Sequence, residues 1–100
     1  MHVIVWSFRP REGCRHRFEE VYGSGGGWAK LFGASPDYLG TELLCEGAGS
    51  GQYLTIDRWR SAAAYDAFLA ERRSEYVAMD LTCESLTEVE ELVGRFDELP

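Results

Sequence analysis

Gln52-Tyr53-Leu54-Thr55-Ile56-Asp57-Arg58-Trp59-Arg60-Ser61 passes from strand to helix within one short stretch. From Gln52 to Trp59 the run is rich in aromatic and β-branched residues, which suit a pleated backbone. Ser61 then stands at a helix N-cap, where its hydroxyl accepts a hydrogen bond from a free N–H of the first turn. Tyr65, Phe68 and Leu69 form the apolar face of a helix predicted over Ala62 to about Arg73. Upstream, Tyr38 to Glu46 is a second strand-like run, joined to the first by the five-residue loop Gly47-Ala48-Gly49-Ser50-Gly51. Its glycines take positive φ without penalty, as a hairpin loop requires.

Outward from this hairpin, His2 to Phe8 reads as a strand, and Pro10 and Gly13 turn the chain into a helix. Cys14, Phe18, Val21 and Tyr22 lie on one stripe of that helix, with Arg15, Arg17, Glu19 and Glu20 largely off it. Gly23 to Gly27 breaks it, Trp28 to Phe32 adds one or two helical turns, and Ser35-Pro36-Asp37 is a turn. Ser74 restarts a helical piece through Leu86, and Thr87 to Phe96 alternates as a closing strand. The order β-α-β-β-α-β predicts an α+β, ferredoxin-like subunit: an antiparallel sheet with helices on one face.

The chain of 100 residues is long enough for one domain, residues 1–100, and one core. Apolar residues make up 45% and charged residues 27%, as in ordinary globular chains. The net charge of −7 opposes binding to phosphate backbones, so no nucleic-acid partner is expected. No apolar run approaches the ~20 residues of a membrane span, and no signal-peptide pattern opens the chain. Three widely spaced cysteines, Cys14, Cys45 and Cys83, read as reduced thiols in a cytoplasm.

The strands are apolar on both faces. The first puts Ile4, Trp6 and Phe8 on one side and Val3 and Val5 on the other. The third divides Leu54 and Ile56 from Tyr53 and Trp59, and the fourth divides Leu92 and Phe96 from Val89 and Val93. The helices suffice for one face only, so the other is expected to meet the same face of a second copy in a homodimer.

The chain resembles the antibiotic biosynthesis monooxygenase-like family, small members of the dimeric α/β-barrel superfamily. The resemblance rests on the Pro10–Gly13 turn, Phe18, Tyr22-Gly23, Gly27 to Phe32, Tyr38 to Leu43 and Tyr53 to Ser61. It continues through Phe68, Tyr76, Leu81, Cys83-Glu84, Leu86-Thr87 and Gly94-Arg95-Phe96. It implies a sheet-to-sheet dimer closing a barrel, with a pocket between helices and sheet in each subunit. Some members oxidise polycyclic phenols with molecular oxygen and no cofactor, while others degrade heme. The heme-degrading pattern has a His on the later helices, an Asn on the first strand and a Trp; only Trp59 has a counterpart here, so heme degradation is disfavoured.

Other motifs are bland. The glycine cluster has Trp28 where a dinucleotide loop needs Gly, and Trp28-Ala29-Lys30 where a Walker loop needs Gly-Lys-Ser/Thr. It reads as a helix terminator and connector over the pocket. His2 and His16 do not converge with other ligands, so neither metal nor cofactor is expected. The cysteines read as small buried hydrophobes. Among the aromatic residues, Trp6, Tyr22, Trp28, Trp59, Tyr65 and Tyr76 carry polar groups that need partners when buried.

The resemblance places these six aromatic residues near the pocket and makes Trp59 the position shared with both characterised branches. Tyr22, Trp28, Trp59, Tyr65 and Tyr76 are therefore the expected ligand-binding residues. Asp57 lies in a strand beside Arg58, and Asp80 sits between Tyr76 and Cys83 on a helical stripe. Partial burial would raise the pKa of Asp80 and make it the candidate general base. The expected activity is cofactor-independent oxygenation of a small aromatic or polycyclic phenol. The alternative is a homodimer of the same fold that binds a small molecule, or is structural, without catalysis.

Overall fold

A computed structural model describes all of residues 1–100. The elements run β1 (His2–Pro10), α1 (Arg15–Tyr22), α2 (Gly27–Phe32), β2 (Tyr38–Cys45), β3 (Tyr53–Trp59), α3 (Ala62–Glu71), α4 (Arg73–Cys83), a 3-10 turn (Glu84–Leu86) and β4 (Thr87–Asp97). The four strands form one antiparallel sheet in the order β2-β3-β1-β4, the ferredoxin-like arrangement the element order predicts.

The hairpin opens the sheet as the sequence anticipates. Gly49 and Gly51 sit at φ 82° and 81°, where a Cβ would strain the backbone. Ser61 caps α3, its Oγ accepting from the Ala64 N–H at 3.1 Å, an interaction that contributes about 1 kcal/mol. Register then assigns the faces. His2, Ile4, Trp6 and Phe8 pair with Trp59, Asp57, Thr55 and Tyr53, and all eight point toward the helices.

Against this face packs an aromatic core. Phe18 from α1 is fully buried and stacks on Tyr22 at 4.4 Å between ring centroids, with Phe8 4.8 Å from Tyr22. At the other end Trp59 is fully buried, 5.6 Å from Phe32 and 5.3 Å from both Tyr65 and Phe68. Such pairs add about 0.5–1.5 kcal/mol beyond the area they bury.

The fourth strand departs from simple alternation. Gly94 pairs with Val5 but Leu92 with Trp6, so Val93 is an extra, bulged residue; a second irregularity follows at Glu88. The bulge inverts the alternation: Val89 and Phe96 share the outer face, while Leu92 falls on the helix side opposite Trp6. Sequence alternation, which grouped Leu92 with Phe96, fails there because a period of two does not survive an inserted residue. Val3, Val5, Leu54, Ile56, Val89 and Phe96 thus form an outer apolar face that no helix of the chain covers.

His2, at the start of β1, ties two strands together. It is 3% exposed, and its Nε2 accepts from the Arg95 Nε at 2.9 Å. Its proton therefore sits on Nδ1, which donates to Asp97 Oδ1 at 2.8 Å and ties the start of β1 to the end of β4.

The glycine cluster proves tighter than a flexible connector. Gly26 is buried, and a Cβ there would fall on the carbonyl oxygens of Glu20 and Val21 as the chain leaves α1. Gly25, one residue earlier, faces open space. Gly26→Ala is expected to lower stability by about 2 kcal/mol or more, and Gly25→Ala to stay within about 0.5 kcal/mol, measured by thermal or urea unfolding.

Candidate functional site

Between the sheet and the helices lies a slot. Trp6 and Phe8 form one wall from β1; Tyr22, Trp28, Phe32, Tyr65 and Tyr76 close it from the four helices. Thr41, Thr55 and Asp57 make a polar floor, and Glu90 of β4 stands at an exposed edge. The slot and its mouth enclose about 430 Å³, yet the room left for a water-sized sphere to move is only about 30 Å³. A ring-sized ligand therefore needs the walls to part, and a flat one needs the least movement.

The floor follows from register. Asp57 pairs with Ile4 on one side and Thr41 on the other, so an acid is set among inward-facing residues of the two central strands and β2. It is 8% exposed. Thr41 Oγ1 donates to Asp57 Oδ1 at 2.5 Å, and Tyr38 Oη lies 2.5 Å from Thr41 Oγ1. Because the Thr41 proton is given to the carboxylate, Tyr38 is the donor in the outer bond. The two hydroxyls form a line from half-exposed Tyr38 to the buried acid.

Burial in this setting disfavours the charged carboxylate and pushes the Asp57 pKa up to about 6, with the Thr41 hydrogen bond opposing the shift. Loss of water around them also raises the phenols of Tyr22, Tyr65 and Tyr76, so all three remain O–H donors at neutral pH. Desolvation, with the charge of Asp80 second, raises the Glu90 carboxyl as well.

Four expected ligand residues, Tyr22, Trp28, Tyr65 and Tyr76, meet in this slot. Trp59 does not line it. Fully buried behind Phe32 and Tyr65, it sets the positions of rings that do. Asp80, expected as the base, is a correction: it is exposed on α4 and lies outside the slot lining. The buried acid is Asp57, and its signal was present in the sequence: it shares the alternation of Tyr53, Thr55 and Trp59 and so must face inward. The inward facing of Glu90 is set by the β4 bulge, which simple alternation does not reveal.

Two indole N–H groups, Trp28 Nε1 and Trp59 Nε1, are buried with no hydrogen-bond acceptor. The polar neighbours of Trp28 are Tyr22 Oη and Cys83 Sγ, neither in bonding geometry. Cys83 is buried as expected and burial raises its thiol; Cys45, also expected to be buried, is instead exposed at the end of β2. No group of three or more His, Cys, Asp or Glu side chains is close enough to hold a metal ion. No helix is long and apolar enough to cross a membrane.

An antiparallel sheet in the order β2-β3-β1-β4 with its helices on one face defines a ferredoxin-like α+β domain. The family model for antibiotic biosynthesis monooxygenase matches residues 1–78, and the chain belongs to that family. No curated protein matches it significantly. Among solved structures it is similar to a mutant of SnoaB, a cofactor-independent oxygenase from Streptomyces nogalater, at 21% identity, 97% and 91% coverage of the two chains and a TM-score of 0.74. It is also similar to MhuD, a heme-degrader from Mycobacterium tuberculosis solved with two hemes bound, at 19% identity, 100% and 97% coverage and a TM-score of 0.68. At such identities the likeness is one of fold.

The buried acid has a measurable cost. With a pKa of about 6 against the ordinary 3.8, folded Asp57 holds its proton where the unfolded chain has released it. Stability contributed by this group is full below pH ~4 and is lost as pH rises through about 6, a difference of about 3 kcal/mol. Asp57→Asn is expected to raise Tm at pH 7.5 and to flatten the decline in Tm between pH 4 and about 6.5.

Proposed function

We propose that the protein is a cofactor-independent monooxygenase acting on a small aromatic or polycyclic phenol, in the cytoplasm and as a homodimer. One observation carries the reading: a single buried carboxylate, poised at about 6, faces a slot walled by aromatic rings. A general base works best with a pKa near the operating pH, and Asp57 meets that requirement.

The chemistry asks little more of the protein. Asp57 takes the proton of a phenol or enol, and the resulting carbanion-like anion is electron-rich enough to reduce oxygen itself. For an anthrone, the ring methylene gains one oxygen atom, the second leaves as water, and all four electrons come from the substrate. Thr55 offers a hydroxyl donor to the developing oxyanion, and the unpartnered Trp28 N–H is a further donor that a ligand oxygen would satisfy. Reversal of the Thr41 and Tyr38 hydrogen bonds passes the proton from Asp57 to half-exposed Tyr38 and so to water.

The small free volume of the slot favours a second reading, ligand binding without turnover in the same place. Oxygen uptake separates the two. With an anthrone, and without metal or flavin, the protein is expected to consume oxygen and form the anthraquinone, its rate rising with pH through about 6. Asp57→Asn is expected to lower that rate at least about 100-fold. Binding with no oxygen uptake by the native protein would overturn the enzymatic reading.

The outer apolar face supports the dimer: Val5, Ile56 and Phe96 are displayed on the side of the sheet away from the helices. Large exposed apolar surfaces of this kind mark association sites, and an isologous pair buries the same patch twice. Light scattering at micromolar concentration is expected to give the mass of two chains; the mass of one would refute the assembly.

A further inference from the structure

The slot holds two carboxylates and no cation. Asp57 stands on its floor and Glu90 at its open edge, and none of the residues around it is Arg, Lys or His. The nearby cations are committed elsewhere. Arg95 lies over the Tyr65 ring, 5.0 Å from its centroid, but is held by Asp66 at 3.0 Å and by His2 at 2.9 Å. Arg58 pairs with Glu42 on the outer side of the sheet.

We propose that the slot selects its ligand by charge, admitting uncharged aromatic molecules that carry a hydroxyl or amide donor and excluding aromatic carboxylates. This deepens the reading above and rests on the slot being the ligand site. A carboxylate entering from water would shed its hydration shell against aromatic walls and approach two like charges without gaining a counter-ion. A neutral phenol meets Asp57 as a hydrogen-bond acceptor. When it ionises, its proton moves to Asp57, so the floor carries one negative charge before and after the transfer. Thus a substrate that arrives neutral and ionises inside adds no charge, whereas one that arrives ionised adds its own. A porphyrin with free propionates falls in the excluded class, which gives the exclusion a reach beyond phenols.

The test uses an isosteric pair, 2-naphthamide and 2-naphthoate, with 2-naphthol as a neutral phenol, titrated by calorimetry at pH 7.5. The amide and the phenol are expected to bind, and the carboxylate to bind at least tenfold more weakly than the amide. Glu90 is exposed on an edge strand, so Glu90→Gln is expected to fold; melting followed by circular dichroism verifies this. In that variant the carboxylate is expected to gain at least threefold in affinity while the amide stays within twofold. Native binding of the carboxylate within twofold of the amide would overturn the charge selection and leave the slot as the ligand site. Exclusion of the carboxylate that neither Glu90→Gln nor Asp57→Asn eases would equally overturn the assignment to these two acids. Failure of both neutral compounds to bind would remove the ligand site itself, and the proposed function with it.

Discussion

The register between β1 and β3 is the constraint on which the remainder of this structure depends. Ile4 lies opposite Asp57, Trp6 opposite Thr55 and Phe8 opposite Tyr53, and from these pairs follow the core and the slot floor. Because side chains alternate with a period of two, a slip of one residue would turn Asp57 and Trp59 to the outer face and bring Ile56 and Arg58 inward. The aromatic residues make such a slip prohibitive. Phe18 fits between Phe8 and Tyr53 at centroid distances of 5.5 and 5.0 Å, and Trp59 fits among Phe32, Tyr65 and Phe68, so both ends of the register are locked by rings from the helices.

Inside that frame, one residue runs against the logic of a core. An acid at 8% exposure, with a single hydrogen-bond donor, weakens the fold at neutral pH. Polar groups that reduce stability cluster where chemistry needs them, because a base close to neutrality requires the desolvation that destabilises its charge. Thr41 moderates the penalty without removing it, and Tyr38 connects the pair to solvent. The same dry aromatic surroundings raise the Tyr65 and Tyr76 phenols and leave the Trp28 N–H without an acceptor. The slot is therefore rich in donors and contains no cation.

The two faces of the sheet differ in what covers them. The inner face, closed by α1 to α4, carries the slot; the outer face, with Val3, Val5, Leu54 and Ile56, is covered by no helix of the chain. The bulge at Val93 serves both faces, since it sends Phe96 outward while letting Arg95 reach Asp66 and His2 on the inner side.

Local signals in the sequence determined the elements and their order. A Ser61 cap, a glycine-rich hairpin loop and alternating strands are short-range properties, and each forms where the residues place it. The pocket residues Tyr22, Trp28, Tyr65 and Tyr76 were legible as well, because each carries a polar group and the family resemblance places them near the pocket. Asp57 was equally available from alternation, but a lone acid on a strand gives no sign of its burial until the helices close over it. Tertiary structure decided three things. It buried Asp57 and left Asp80 exposed, put Trp59 behind the slot rather than in its lining, and brought Glu90 to its edge through a bulge. The reason is physical: desolvation and bulges arise from what other segments do to a residue, and neither is encoded at the position itself.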